Sequence, residues 1–265
     1  MADEKKYLVD VGIQDLPFPM RVISRQDAGG QPTIAHISIS ARIMQQFEAK
    51  WIDKFIQIVH AHREKIGTQT LRKNILDYLN ELDATHVRIN FEYPFFIEKV
   101  TPKSGEKCLV KYDCKYTAKV LSIDNLPAIT FGIKVPCITT YPGSVPGESG
   151  GLFGQLSVAE VDVQSDKDVF PEDLVDIVDS HALSPVYSFL TDEDQIHIIK
   201  KVHSKEISSV TMVNHIKEAL ARHTSVNWYS VRCSNYGMLH PYSTVISTEK
   251  SRWLPLSGYE REEDI

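Results

Sequence analysis

The chain has 265 residues, a formal charge of −6, 24% charged residues and 42% hydrophobic ones. That is ordinary globular composition, long enough for one large domain or two smaller ones, and its acidic balance argues against a dedicated nucleic-acid surface. No apolar run is long enough to span a bilayer, and the opening MADEKKYLVD is charged where a signal peptide is apolar, so a cytoplasmic protein with no membrane partner is expected.

Residues Met1 to Phe18 read as an arm, with Pro17 and Pro19 delaying a first short strand at Met20 to Ser24. After the turn DAGGQP, Thr33 to Arg42 alternates Ile37, Ile39 and Ala41 against His36, Ser38, Ser40 and Arg42, the period-two pattern of a strand with one wet face. Lys50 to Lys65 is predicted helical, with Ile52, Phe55, Ile56 and Val59 on one side. Gly67 stops it, and Thr68 or Thr70 caps a second helix running to Leu82. Two strands follow, around Val87 to Phe91 and from Leu109 to Val120, the latter with Val110, Tyr112, Cys114 and Tyr116 on one face.

The second half repeats this order. A β-branched strand, Ile129 to Thr140, and a less regular one, Leu156 to Val163, flank a loop holding Pro142, Gly143, Pro146, Gly147, Gly150, Gly151 and Gly154. Proline lacks a donor and glycine is flexible, so this loop joins neither helix nor ladder. Helices are predicted at Glu172 to Ser180, with Pro171 at its start, at Asp192 to His203, and at Ser208 to His223 with Val210, Val213, Ile216 and Leu220 inward. Strands at Trp228 to Ser234 and Tyr242 to Thr248 close the half. Cys108, Cys114, Cys137 and Cys233 lack CxxC spacing and read as reduced thiols.

The reading is therefore α+β: two ββααββ modules, residues 1–124 and 125–265, each an antiparallel sheet with helices on one face. Two half-covered sheets with open edges predict an oligomer.

The element order, together with EYPFFIEKVTPKSGEKCLVKYDCKYTAKV (Glu92 to Val120), QPTIAHISISARI, VDSHALSPVYSFL (Val178 to Leu190) and SNYGMLHPYS (Ser234 to Ser243), resembles the GTP cyclohydrolase type IB family. The resemblance runs from about Leu16 to Thr248. It implies a bimodular tunnelling fold, a homotetramer with active sites at subunit interfaces, and a divalent metal held by cysteine, histidine and glutamate. The family opens the imidazole ring of GTP to give formate and dihydroneopterin triphosphate.

The departures fall on the chemistry. Where the family reads roughly TLCPCSKEISEYGAHNQR, this chain reads TTYPGSVPGESGGLFGQL. The family's two cysteines fall on Tyr141 and Gly143, and the histidine of AHNQR on Phe153. His240 keeps one C-terminal histidine, but the second falls on Tyr242 and the nearby glutamate on Gly237. A further glutamate lands on Lys200, and the histidine of HMSRF on Trp51. A zinc-type site needs several such donors converging, so no metal is expected in the family's manner and no other cofactor is indicated; a site moved to Cys137, four residues upstream, is the alternative. His181, His197 and His203 read as surface or cap histidines.

Three functions compete: a working cyclohydrolase with a relocated metal, an enzyme of altered chemistry on a purine- or pterin-like heterocycle, and a non-catalytic ligand-binding paralogue. The second is preferred. Its candidate catalytic groups are His240, Glu148, Tyr242 and Cys137. Its candidate binding groups are Tyr141, Ser144, Ser149, Phe153, Gln155 and Trp51. Histidine leads because its ordinary pKa suits proton transfer near neutrality. The glycine loop is expected to meet Gly237 to Tyr242 at a pocket that a neighbouring subunit helps to close.

Overall fold

The computed structural model describes residues 9–43, 50–121, 126–146, 151–237 and 239–250. Its strands are β1 (Val9–Val22), β2 (Gln31–Ile43), β3 (Ala84–Val100), β4 (Lys107–Val120), β5 (Ala128–Thr140), β6 (Gly154–Ser165), β7 (Ser184–Pro185), β8 (Val226–Tyr236) and β9 (Ser243–Glu249). Its helices are α1 (Lys50–Ala61), α2 (Thr68–Glu81), α3 (Pro171–His181), α4 (Asp192–Ser204) and α5 (Ser209–Arg222). Among the described residues the strands form one sheet in the order β1-β2-β3-β4-β5-β6-β8-β9, with β7 pairing β5. The expected α+β architecture of two ββααββ runs is what forms, with an extra helix in the second run.

The chain divides into two compact units. One takes in Met1–Phe95, Asp113–Gly132 and Gln164–Glu172; the other takes in Phe96–Tyr112, Ile133–Val163 and Asp173–Ile265. The boundaries between the compact units fall within β3, β4, β5, β6 and α3. The modules expected from element order instead divide the chain between β4 and β5.

In the first unit the described part of the expected arm is strand. β1 pairs β2 over its length, with Pro17 opposite His36 and Pro19 opposite Ile34. It stands at one end of the strand order, where a missing N–H breaks no inner ladder, so both prolines are tolerated. A register shift between Ile13 and Leu16 accommodates Asp15 at φ 55°, whose N–H donates to Ser38 Oγ at 3.1 Å. Helix α1 buries Trp51, Phe55, Ile58 and Val59, while Ile52 and Ile56 lie at its margin. The buried stripe is thus rotated from the expected one. Neither Thr68 nor Thr70 caps α2: Gly67 is the N-cap residue and makes no side-chain cap bond. Asp168 Oδ1 instead accepts from Gln69 N at 2.9 Å, a cap from a distant segment with the charge that suits a helix N-terminus.

In the second unit α4 starts with a capping box. Thr191 Oγ1 accepts from Asp194 N, and the Asp194 carboxylate accepts from Thr191 N. Ser208 caps α5 by accepting from Thr211 N at 3.1 Å. Helix α5 buries Met212, Val213, Ile216 and Leu220, and Val210 is exposed. Strand β6 turns Gln155, Ser157, Ala159, Val161 and Val163 inward, so the polar start of that face explains the imperfect alternation in its sequence. All four cysteines are buried free thiols, each on a strand.

Candidate functional site

In the second unit β5 ends at Thr140 and delivers Tyr141, while β6 begins at Gly154 and delivers Gln155. Tyr141 N donates to Phe153 O at 2.9 Å, which closes the base of the intervening loop. The two rings stack, with centroids 4.9 Å apart and planes 16° apart. Ser144 is buried and caps the Tyr141 carbonyl through both its N–H, at 3.0 Å, and its Oγ, at 2.6 Å. Glu148 and Ser149, the other candidates in this loop, lie outside the described residues.

β8 ends at Tyr236 and β9 begins at Ser243; these two residues pair, so Gly237 to Tyr242 is the turn between them. Gly237 lies against the Tyr141 ring. A Cβ there would stand 3.1 Å from Tyr141 Cε2 and 4.0 Å from Gln155 Oε1. A Cβ on Gly143 would stand 2.8 Å from Tyr141 Cε1. The Tyr141 ring is therefore bracketed by two glycines, Gly143 from its own loop and Gly237 from the other. His240 and Tyr242 are exposed and stack on each other, centroids 4.9 Å apart and planes 11° apart.

Cys137 and Trp51 are both buried core residues. Cys137 is fully buried, with Sγ 3.7 Å from Met212 Sδ of α5, and burial pushes its thiol pKa up, so the thiolate needed for a nucleophile or ligand is disfavoured. Trp51 belongs to the first unit, is buried, and stacks on Phe55.

Sequence reasoning missed the polar floor of the site. Thr139, Ser157 and Asn235 are each at most 2% exposed and hydrogen-bond in series behind Gln155. The only sign of them was the serine that interrupts the apolar face of β6.

The fold is shared with solved urate oxidases. The chain superposes on Bacillus sp. TB-90 urate oxidase with a TM-score of 0.58 at 11% identity, covering 92% of this chain and all of that one. The uricase of Bacillus fastidious gives 0.58 at 10% identity, covering 91% and 92%. The chain is thus of the tunnelling-fold class. It belongs, more narrowly, to the family described as type I GTP cyclohydrolase FolE2, which residues 2–245 match. It is 29% identical over 242 residues to the GTP cyclohydrolase FolE2 of Geobacter sp. (strain M21), covering 91% of this chain and 89% of that protein. With the protein of the same name from Geotalea uraniireducens (strain Rf4) the identity is 30%, covering 91% and 88%.

The donors present do not fit the metal that this resemblance implies. The positions matching its cysteine and histidine come together in space, but as the stacked rings of Tyr141 and Phe153. Phenylalanine has no lone pair to give, and a neutral phenol is a poor ligand. Gly237 offers no side chain, and Lys200 is an exposed cation on α4. Among the described residues no three of His, Cys, Asp or Glu converge.

Proposed function

We propose that this chain keeps the scaffold and site of its family but not the family's metal chemistry. It binds a planar purine- or pterin-like heterocycle at the Tyr141–Gly237 site and transforms it without a resident metal. The observation that carries this reading is the Tyr141–Phe153 stack at the positions matching the family's thiolate and imidazole. Aromatic rings that face a site favour planar ligands, because offset stacking adds to simple burial.

His240 is the proton-transfer group in this reading, and Tyr242 stacks on its ring. Glu148 is the acid that the loop would supply. Tyr141, Phe153, Gln155 and Ser144 bind or support the ligand, with Ser149 as an outer candidate; Trp51, buried in the first unit against Phe55, is not among them. The protein acts in the cytoplasm as a homotetramer, with its substrate and its own copies as partners. Family membership favours a second reading, ring opening of GTP with a metal held elsewhere.

One assay separates the two. Purified protein is incubated with GTP, with and without added zinc, manganese or ferrous iron, while formate and dihydroneopterin triphosphate are measured. Neither product is expected. Stoichiometric zinc retained through dialysis, with formate released from GTP, would establish the second reading instead. Within the first, His240→Gln is expected to abolish turnover or ligand binding and leave the thermal midpoint and oligomer unchanged. If it melts the assembly, His240 is structural.

A further inference from the structure

The floor of the site is a directed chain of hydrogen bonds, and its direction decides which end of the Gln155 amide faces the ligand. Gln155 is only 4% exposed. Its Nε2 donates to Thr139 Oγ1 at 3.2 Å and to the Thr140 carbonyl at 3.4 Å. Thr139 Oγ1 lies 2.8 Å from Ser157 Oγ, and Ser157 Oγ donates to Asn235 Oδ1 at 2.8 Å. Asn235 Oδ1 also accepts from Cys233 Sγ at 3.5 Å, and Asn235 Nδ2 donates to Ser209 Oγ at 3.2 Å and to Thr244 Oγ1 at 3.4 Å.

Each hydroxyl has one proton. Ser157 gives its proton to Asn235, so Thr139 must give its own to Ser157 and accept from Gln155. The Thr140 carbonyl closes the choice, since it can only accept. An amide turned the other way would set two acceptor oxygens against each other in a buried place, which costs the full desolvation of both. No described group donates to Gln155 Oε1, which lies beside the place where Gly237 has no side chain.

We infer that Gln155 Oε1 is the acceptor by which this site selects its ligand, recognising a ring or exocyclic N–H on the edge of a planar heterocycle. Thr139, Ser157 and Asn235 are positioning residues that hold the amide in that sense. The inference rests on the heterocycle-binding reading above and names the edge chemistry that its ligand must present. A site built around a fixed acceptor rejects an isostere without the donor, because the acceptor is then left unpaired.

Two measurements on the full chain test it. The first is calorimetric titration with inosine, whose base has a single N–H, and with 1-methylinosine, whose base has none. Gln155→Met is expected to weaken inosine binding about tenfold, the size of one hydrogen bond, and to leave 1-methylinosine within about twofold. Thermal midpoints of both proteins check that the variant folds. If wild type binds both nucleosides and Gln155→Met binds inosine as wild type does, this inference is overturned and the heterocycle reading stands. If wild type binds neither, both are overturned.

The second measurement needs no ligand. Neutron diffraction from deuterium-exchanged crystals should place deuterium on the Gln155 amide atom facing Thr140. An oxygen in that position would overturn the assignment.

Discussion

Tyr141 shows how one side chain constrains residues far from it in sequence. Its ring stacks on Phe153 and would stand only 3.1 Å from a Cβ at Gly237, tighter than an ordinary contact. Gly237→Ala should therefore cost roughly 1–3 kcal/mol through overpacking and shift the ring. A double-mutant cycle of chemical unfolding curves checks the cause. In a Tyr141→Ala background the penalty should largely disappear; a penalty of the same size there would mean that Gly237 answers to some other neighbour. The same residue carries the functional argument. It stands where the resemblance places a metal thiolate, and a stacked phenol ring suits a planar ligand better than a cation.

At the scale of elements, charged side chains tie secondary structures together inside the second unit. Lys99 of β3 pairs with Asp179 of α3, and the two side chains are 10% and 16% exposed. The lysine also lies over the rings of Tyr112 and Tyr187, at 5.4 and 5.9 Å from their centroids. Burial pushes the Asp179 carboxyl pKa up, and Lys99 offsets this only in part. Lys99→Met would strand a buried carboxylate and is expected to cost about 3–5 kcal/mol. Adding Asp179→Leu should recover most of that loss, since a buried pair is often replaceable by apolar groups of similar size. Unfolding curves in urea decide it, and a double variant no better than the single would show that the pair is needed as such.

Asp194 does a similar service for α4. Burial pushes its carboxyl pKa up, but donors from Ser104, Thr191 and the backbone of Lys103 and Ser104 outweigh this and hold it well below the usual carboxylate range. A group whose folded pKa is depressed adds stability above its unfolded pKa and loses it as the pH falls. Asp194→Asn should thus lower the thermal midpoint at pH 7, and its deficit against wild type should shrink as the pH drops below about 4. A deficit that does not change with pH would mean that shape, not charge, is what the turn at Lys103 and Ser104 requires.

For the molecule as a whole, the two ends of the strand order matter most. β1 and β9 each have one unpaired flank among the described residues. β1 carries Pro17 and Pro19, a common device against indiscriminate pairing, whereas β9 is short and open, with Val245 at 46% exposure. The proposed homotetramer would cover such edges in a specific way. Sedimentation equilibrium at micromolar concentration should give four chain masses; a stable monomer would rule the assembly out.

What was legible in the sequence is local and periodic. Alternation along β2 and β4 marked Ile37, Ile39, Ala41, Val110, Tyr112, Cys114 and Tyr116 as inward, and every one is buried. Such patterns survive in one dimension because side-chain direction follows from backbone geometry alone. The repeated element order predicted the α+β fold for the same reason, and motif likeness pointed to the family. Edge position was not legible, so β1 read as an arm, since prolines forbid only an inner strand. The rotation of α1 was not legible either, because Ile52 and Ile56 fit the helical period as well as Trp51 and Ile58 do. The tertiary structure alone brought Tyr141, Phe153, Gln155 and Gly237 together from three strand ends. It alone gave the buried chain from Gln155 to Asn235 a direction, since which amide atom faces the site is settled by a carbonyl that can only accept, and no local pattern in the sequence records that contact.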